Sequence, residues 1–211
     1  MSDVLVFGAS GNSGLLLALA AREAGLDVVA LARPRRGDAL KAAGVAVVTG
    51  DAFNPEDCEQ ALEVARPRQV VSLLGGKSAD GRRVDETGNV NVIAACEAAG
   101  VEHALLVTSF GCGELYPLLS VQAQAMLGEA IRAKTRAEAR WRAGPLTTTL
   151  LRPGGLSNSA GCGRWQLHDG ADGSGAPLPR ADLALAILAL LADPAQHGRT
   201  LCVSGTPADA G

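Results

Sequence analysis

The stretch VFGASGNSGLLLALAAREAG, residues 6–25, sets Gly8, Gly11 and Gly14 directly after an apolar run and then continues as an Ala- and Leu-rich segment that stops at Gly25. The apolar run reads as a strand buried on both faces, and the segment beyond the glycines as a helix. A strand, a glycine turn and a helix start together make a site for an anion. The N–H groups of a first helical turn have no partner inside the helix, and the helix dipole is positive there. A diphosphate fits that description. Gly8 permits the tight turn, Gly11 lets the backbone approach the phosphates, and Gly14 removes a Cβ where helix and strand pack closely. Residues Gly8, Ala9, Ser10, Gly11, Asn12, Ser13 and Gly14 are therefore candidate dinucleotide ligands. A nucleoside-triphosphate loop is excluded, because no Lys-Ser or Lys-Thr follows Gly14.

Working outward, short Val- and Leu-rich runs alternate with Ala-rich helical stretches. Strands are expected at 3–7, 27–32, 45–48, 69–74, 104–109, 147–152 and 200–204. This is the pattern of a doubly wound α/β Rossmann fold, a mostly parallel sheet with helices on both faces. Helix punctuation agrees: NPED at 54–57 offers an Asn cap, a Pro in the first turn and two acids at the positive helix end, and Gly25, Gly44 and Gly100 stand where helices should stop. The segment HDGADGSGAPLPR, 168–180, reads as an exposed loop. With 211 residues, 47% of them hydrophobic, the chain has the material for one core, so a single domain over 1–211 is expected, with covering loops near 110–120 and 156–179.

Composition also removes function classes. A net charge of -3 provides no basic field for nucleic acid or an anionic membrane. MSDVLVFGAS at residues 1–10 has neither a basic region nor an apolar run of signal or membrane length, so a cytoplasmic protein is expected, monomeric or a small homo-oligomer. The five cysteines are scattered, odd in number and without a CxxC pair, so neither a disulfide framework nor a metal site is expected.

The choice of dinucleotide falls at the end of the second strand, where an acid would bind a ribose 2′-hydroxyl and a cation a 2′-phosphate. The residues there are ALARPRRG, 30–37. Arg33 stands where an acid would, with Arg36 close behind, and a guanidinium both forks onto a phosphate and stacks on adenine. NADP(H) is favoured over NAD(H); the competing reading is a solvated arginine loop. Asp51, followed by Ala52 after the third strand, either accepts from the adenine amino group or caps the next helix.

GASGNSG (8–14), ALAR (30–33), GDAFNPED (50–57), VSLLGG (71–76), GNVNVIAACEAAGVEHALLVTS (88–109), LLRPGG (150–155) and PRADLALAILALLADP (179–194), in this order and spacing, resemble the single-domain atypical short-chain dehydrogenase/reductases. That group of NAD(P)H-binding proteins includes flavin reductases similar to biliverdin-IXβ reductase and NmrA-like sensors. The resemblance covers nearly the whole chain. It implies that Leu74, Gly75, Gly76, Thr108, Ser109, Pro153, Gly154 and Gly155 line the nicotinamide, with Ser109 beside it. A departure carries equal weight. Carbonyl-reducing members use a Tyr and a Lys four residues apart on one helix face, so that the cation lowers the phenol pKa. Here Lys134 is present, but Ala130 stands four residues before it, and the single tyrosine, Tyr116, precedes Pro117 in the preceding loop.

Ser109 and Lys134 are thus the catalytic candidates, Ser109 through a hydrogen bond to the carboxamide or a substrate oxygen, against the alternative of a strand-end serine satisfying nearby backbone, and Lys134 against the alternative of a solvated helix face. Phe110, Tyr116 and Trp165, isolated aromatics among glycines, are candidates for a mobile lid against a flat substrate, the competing account being ordinary hydrophobic packing under long loops. The expected function is hydride transfer from NADPH to a planar, electron-poor acceptor such as a flavin or quinone, the alternative a non-enzymatic NADP(H) sensor.

Overall fold

The computed structural model describes residues 1–78 and 80–206. An eight-stranded sheet forms the middle layer. Its strands are β1 (Val4–Phe7), β2 (Val28–Ala32), β3 (Ala46–Thr49), β4 (Gln69–Ser72), β5 (His103–Val107), β6 (Thr148–Pro153), β8 (Trp165–His168) and β10 (Thr200–Gly205), in the order β3-β2-β1-β4-β5-β6-β10-β8. All neighbours are parallel except β8, which runs antiparallel along β10 at the edge. The helices are α1 (Asn12–Glu23), α2 (Asp38–Ala42), α3 (Pro55–Ala65), α4 (Val84–Ala99), α5 (Val121–Ala143) and α6 (Arg180–Ala192).

Strand alternation builds a core on each side of the sheet. Val4 and Val6 of β1 face Leu17, Ala18 and Ala21 of α1 and Leu183, Ile187 and Leu190 of α6. Leu5 and Phe7 face Cys58 and Leu62 of α3, Val92, Ile93 and Cys96 of α4, and Ala137 and Trp141 of α5. Burial on both faces is the reason these strands carry no polar alternation. Gly14 lies in the first turn of α1, where a Cβ would clash with the Gly8 carbonyl and the Ala9 backbone, so the close packing at this glycine is of the helix start on the β1–α1 turn.

The all-β periphery differs from the expectation. The covering segment contains β8 and a two-stranded sheet of β7 (Leu156–Ser157) with β9 (Leu178–Pro179). Leu178 is fully buried in the α1/α6 core, so the 168–180 segment is not an exposed loop throughout. Residues 110–119 are not a loose lid either: Gly113–Leu118 is a 3-10 turn. Asn54 occupies the cap position of α3 without capping by its side chain; its amide donates instead to Asp57 at 3.2 Å.

Candidate functional site

In the strand order, connections leave β1 toward β2 on one side and reach β4 on the other, which opens a crevice at the carboxyl ends of these strands. A cleft of about 260 Å³ occupies it. Gly8, Ser10 and Gly11 line it from the β1–α1 turn, Arg33 and Arg36 from the end of β2, Asp51 and Ala52 from the end of β3, and Leu74, Gly75 and Gly76 from the end of β4. Chain segments far apart in sequence thus meet in one cleft.

The turn has the features a phosphate requires. Gly8 has φ +83°, and a Cβ on it would stand 2.8 Å from the Leu73 carbonyl carbon, so only glycine lets β1 and the β4 end approach this closely. Gly11 is in extended geometry, and a Cβ there would meet only the Gly8 carbonyl oxygen, at 3.3 Å. The first turn of α1 contains no acid and receives no side-chain cap, so the N–H groups of Asn12, Ser13 and Gly14 retain their positive end uncompensated. Ala9 is fully buried beneath the turn. Arg33 and Arg36 are exposed at the cleft wall, and neither has a carboxylate partner among the described residues. Asp51 forms an Asx turn: its Oδ1 accepts from Phe53 N at 3.1 Å, while its own N–H donates to Asp57 Oδ2 at 2.7 Å.

At the β4 end of the cleft stands a residue the sequence reading missed. Asp85, in the first turn of α4, is 1% exposed. Its Oδ2 accepts from Gly76 N at 3.0 Å, and its Oδ1 lies 3.2 Å from Lys134 Nζ. Lys134 is not on a solvated face: its side chain is 15% exposed and its ammonium also lies 3.4 Å from the Leu74 carbonyl oxygen. A Cβ on Gly75 would come within 3.1 Å of Asp85 Oδ1 and 3.2 Å of Lys134 Nζ, which gives that glycine its reason. Arg83, Lys77 and Glu129 extend the charged cluster, with Lys77 Nζ 2.9 Å from Glu129 Oε2 and Arg83 Nη1 3.5 Å from Asp85 Oδ2.

The other candidates are not among the residues that line this cleft. Ser109 is half-buried just past β5, and its hydroxyl has no protein partner among the described residues. Thr108, by contrast, is buried and donates its hydroxyl to Glu138 Oε1 at 2.7 Å, so that hydroxyl is not offered to a cofactor. Pro153 is buried in the sheet. Gly154 is glycine because the covering segment presses on it, a Cβ there falling 2.4 Å from the Ser174 carbonyl oxygen, whereas Gly155 is open.

Phe110 is no ligand wall: it is 6% exposed and packs with Leu115 and Cys202. Tyr116 leans on α5, where its hydroxyl accepts from Arg132 at 2.8 Å, rather than folding over the cleft. Trp165 lies on edge strand β8, half-buried against the α1/α6 core and opposite Gly205.

Beneath the 3-10 turn lies a buried Arg152–Glu138 ion pair, extended to the exposed Glu114, that was also not foreseen. Arg152 of β6 donates through Nη2 to Glu138 at 2.6 Å and through Nη1 to Glu114 at 2.6 Å. Burial alone would lower the Arg152 pKa; its hydrogen bonds to Glu138 and Glu114 outweigh that and raise it, so the cation persists. The Glu114 end of this cluster ties the turn to the sheet. Cys112 beside it is an inert thiol, pushed up to about 11 chiefly by burial.

Comparison with known proteins agrees with this geometry. The family profile described as NAD(P)H-binding matches residues 8–194. The structure is similar to ChuY, named an anaerobilin reductase, from Escherichia coli O157:H7, at 31% identity and a TM-score of 0.88 over 100% of both chains. A putative NAD-dependent epimerase/dehydratase from Bacillus halodurans matches at 24% identity and a TM-score of 0.85, over 98% of this chain and 95% of the other. A short-chain dehydrogenase/reductase from Veillonella parvula, solved in complex with NADP, shares the fold at 19% identity and a TM-score of 0.76, over 98% and 96%. No helix among the described residues is long and apolar enough to cross a membrane.

Proposed function

Because the chain belongs to the NAD(P)H-binding family, with a Rossmann fold of the atypical short-chain dehydrogenase/reductase type, we propose that it is a reductase that uses NADPH to reduce a planar, conjugated acceptor. The observation that carries this reading is the polarity around one cleft: Arg33 and Arg36, without a carboxylate partner among the described residues, line its β2 end, and the Lys134 ammonium is anchored behind its β4 wall, on the Leu74 carbonyl and Asp85. The two guanidinium groups favour a cofactor with a 2′-phosphate. When bound, the reduced nicotinamide supplies a hydride.

The protein's own residues position rather than protonate. Asp85 and the Leu74 carbonyl hold the Lys134 ammonium beside Gly75, a fixed positive charge at the reacting end of the cleft. The free hydroxyl of Ser109 is a hydrogen-bond donor for the carboxamide or an acceptor oxygen. A tyrosine acid is absent from its helical place, which is Ala130, and Tyr116 is engaged with Arg132. An acceptor that spreads the arriving charge over fused or conjugated rings and takes its proton from water does not need that acid. Flavins, quinones and linear tetrapyrroles share this property, and the similarity to an anaerobilin reductase supports the tetrapyrrole class among them.

The test is NADPH oxidation with biliverdin, FMN or menadione, run beside NADPH binding by fluorescence. Steady turnover with one of the three supports a reductase. Tight binding with no turnover on any of them would replace it by a cofactor sensor.

A further inference from the structure

Arg180 occupies the first turn of α6, and its guanidinium touches two parts of the site at once. Nη1 donates to Ser13 Oγ of the β1–α1 turn at 3.0 Å, and Nε donates to Asn158 Oδ1 of the covering segment at 2.9 Å. Four arginines among the described residues are not exposed: Arg83, Arg140, Arg152 and Arg180. The first three have carboxylate partners, in Glu129 and Asp85, Glu97, and Glu138 and Glu114. Arg180 has none.

That omission has a cost. A half-buried cation without a counter-charge is poorly solvated, and the positive end of its own helix disfavours it further. The one acid in the same turn, Asp182, is committed elsewhere: its carboxylate accepts from Cys162 N at 3.0 Å and Gly163 N at 2.8 Å. An arginine placed unpaired against the hydroxyl of a phosphate-type turn is arranged for an anion that arrives from outside the chain.

We infer that Arg180 pairs with the diphosphate of the bound dinucleotide and that this contact couples cofactor occupancy to the order of residues 158–163. The inference rests on the dinucleotide reading of the Gly8–Gly14 turn. Arg180 and Asp182 hold the covering segment at two points, Asn158 and the Cys162–Gly163 backbone, and the same guanidinium reaches Ser13. A diphosphate on that turn fixes the guanidinium, and the guanidinium fixes the segment. Cofactor then precedes acceptor.

Arg180→Gln tests this through ligands that do and do not carry the second phosphate. Kd values are measured for NADPH and NADH, with ADP-ribose and AMP as competitors. The expected result is that NADPH, NADH and ADP-ribose all weaken by about tenfold, the scale of one charge-assisted contact, while AMP is unchanged. Hydrogen exchange of residues 158–163 should slow on adding NADP in the wild type and not in the variant.

An unchanged ratio of ADP-ribose to AMP affinity, or equal protection of 158–163 in both proteins, overturns the inference. So does a defect confined to the KM of the acceptor, which would assign the guanidinium to acceptor carboxylates. Where the Gln variant does not fold, Arg180→Lys, which keeps the charge without the fork, decides by the same ratio: a several-fold fall is expected, and a wild-type ratio refutes. If the wild type itself binds no NADPH, the dinucleotide reading fails, an outcome separate from all of these.

Discussion

Removal of the Asp85 carboxylate should both destabilise the fold and release the Lys134 ammonium held behind the β4 end of the cleft. Asp85→Ala leaves the Gly76 N–H without its acceptor and leaves Lys134 with the Leu74 carbonyl alone, at 3.4 Å. Gly76 is exposed, so water takes over its N–H at little cost, whereas breaking a buried ion pair from one side costs about 3–5 kcal/mol. The side chains of Lys134 and Arg83 are 15% and 20% exposed, so water compensates part of the lost charge. The lower end applies, about 3 kcal/mol in total, which for a domain of this size lowers Tm by about 6–12 °C.

Asp85→Asn retains an oxygen for Gly76 N and loses only the charge, so it should cost about half as much. Urea denaturation of Asp85→Ala, Lys134→Met and the double variant isolates the pair itself. A coupling of about 1–2 kcal/mol is expected, with the Lys134→Met cost the smaller of the two singles because Asp85 still has Gly76 N and Arg83. Turnover should fall in all three while NADPH affinity changes little. Additive costs, or Asp85→Ala within about 0.5 kcal/mol of the wild type, would refute the assignment of this pair as a buried positioning device.

Arg33→Asp should weaken NADPH by a few kcal/mol and leave NADH unchanged or improved, as read from paired titrations; equal losses would remove Arg33 from the 2′-phosphate. Gly11→Val should fold and fail to bind NADPH, since its Cβ meets little protein, whereas Gly14→Val should fail to fold, with its Cβ 2.2 Å from the Gly8 oxygen; circular dichroism and cofactor titration separate the two. Burial, and then the stacked ring of His197, holds the His103 imidazole down at about 4, so the fold prefers its neutral form. Stability should therefore be full above about pH 6.5, where the unfolded chain also loses its proton, and decline as pH falls toward 4, by about 3 kcal/mol in all. His103→Phe should flatten that slope in urea denaturation series; an unchanged slope would show that another group carries it.

The sequence by itself was sufficient for the parallel strands of the sheet and for the turn. Runs such as VLVF and VVALA are apolar on both faces, and the glycine spacing in GASGNSG is a local demand of backbone on backbone, so each announces itself within a few residues. The arginines after β2 were legible for the same reason, since the end of the second strand is a fixed place relative to the first turn.

The partners of charged side chains were not legible. Asp85 and Lys134 are 49 positions apart in number and meet because α4 and α5 pack side by side over one face of the sheet; in sequence, Lys134 is one more cation on an Arg- and Glu-rich helix. Burial of Phe110 likewise depends on Leu115 and Cys202 closing around it, and the antiparallel β8 on a hydrogen-bonding edge that β10 leaves open. Arg180 reads as an ordinary helix-start residue until α6 sets it against Ser13. Periodicity and glycine spacing are properties of neighbouring residues and survive in one dimension. Which carboxylate neutralises which cation, and which cation is left for a ligand, is decided by distances between elements, and these exist only once the chain has folded.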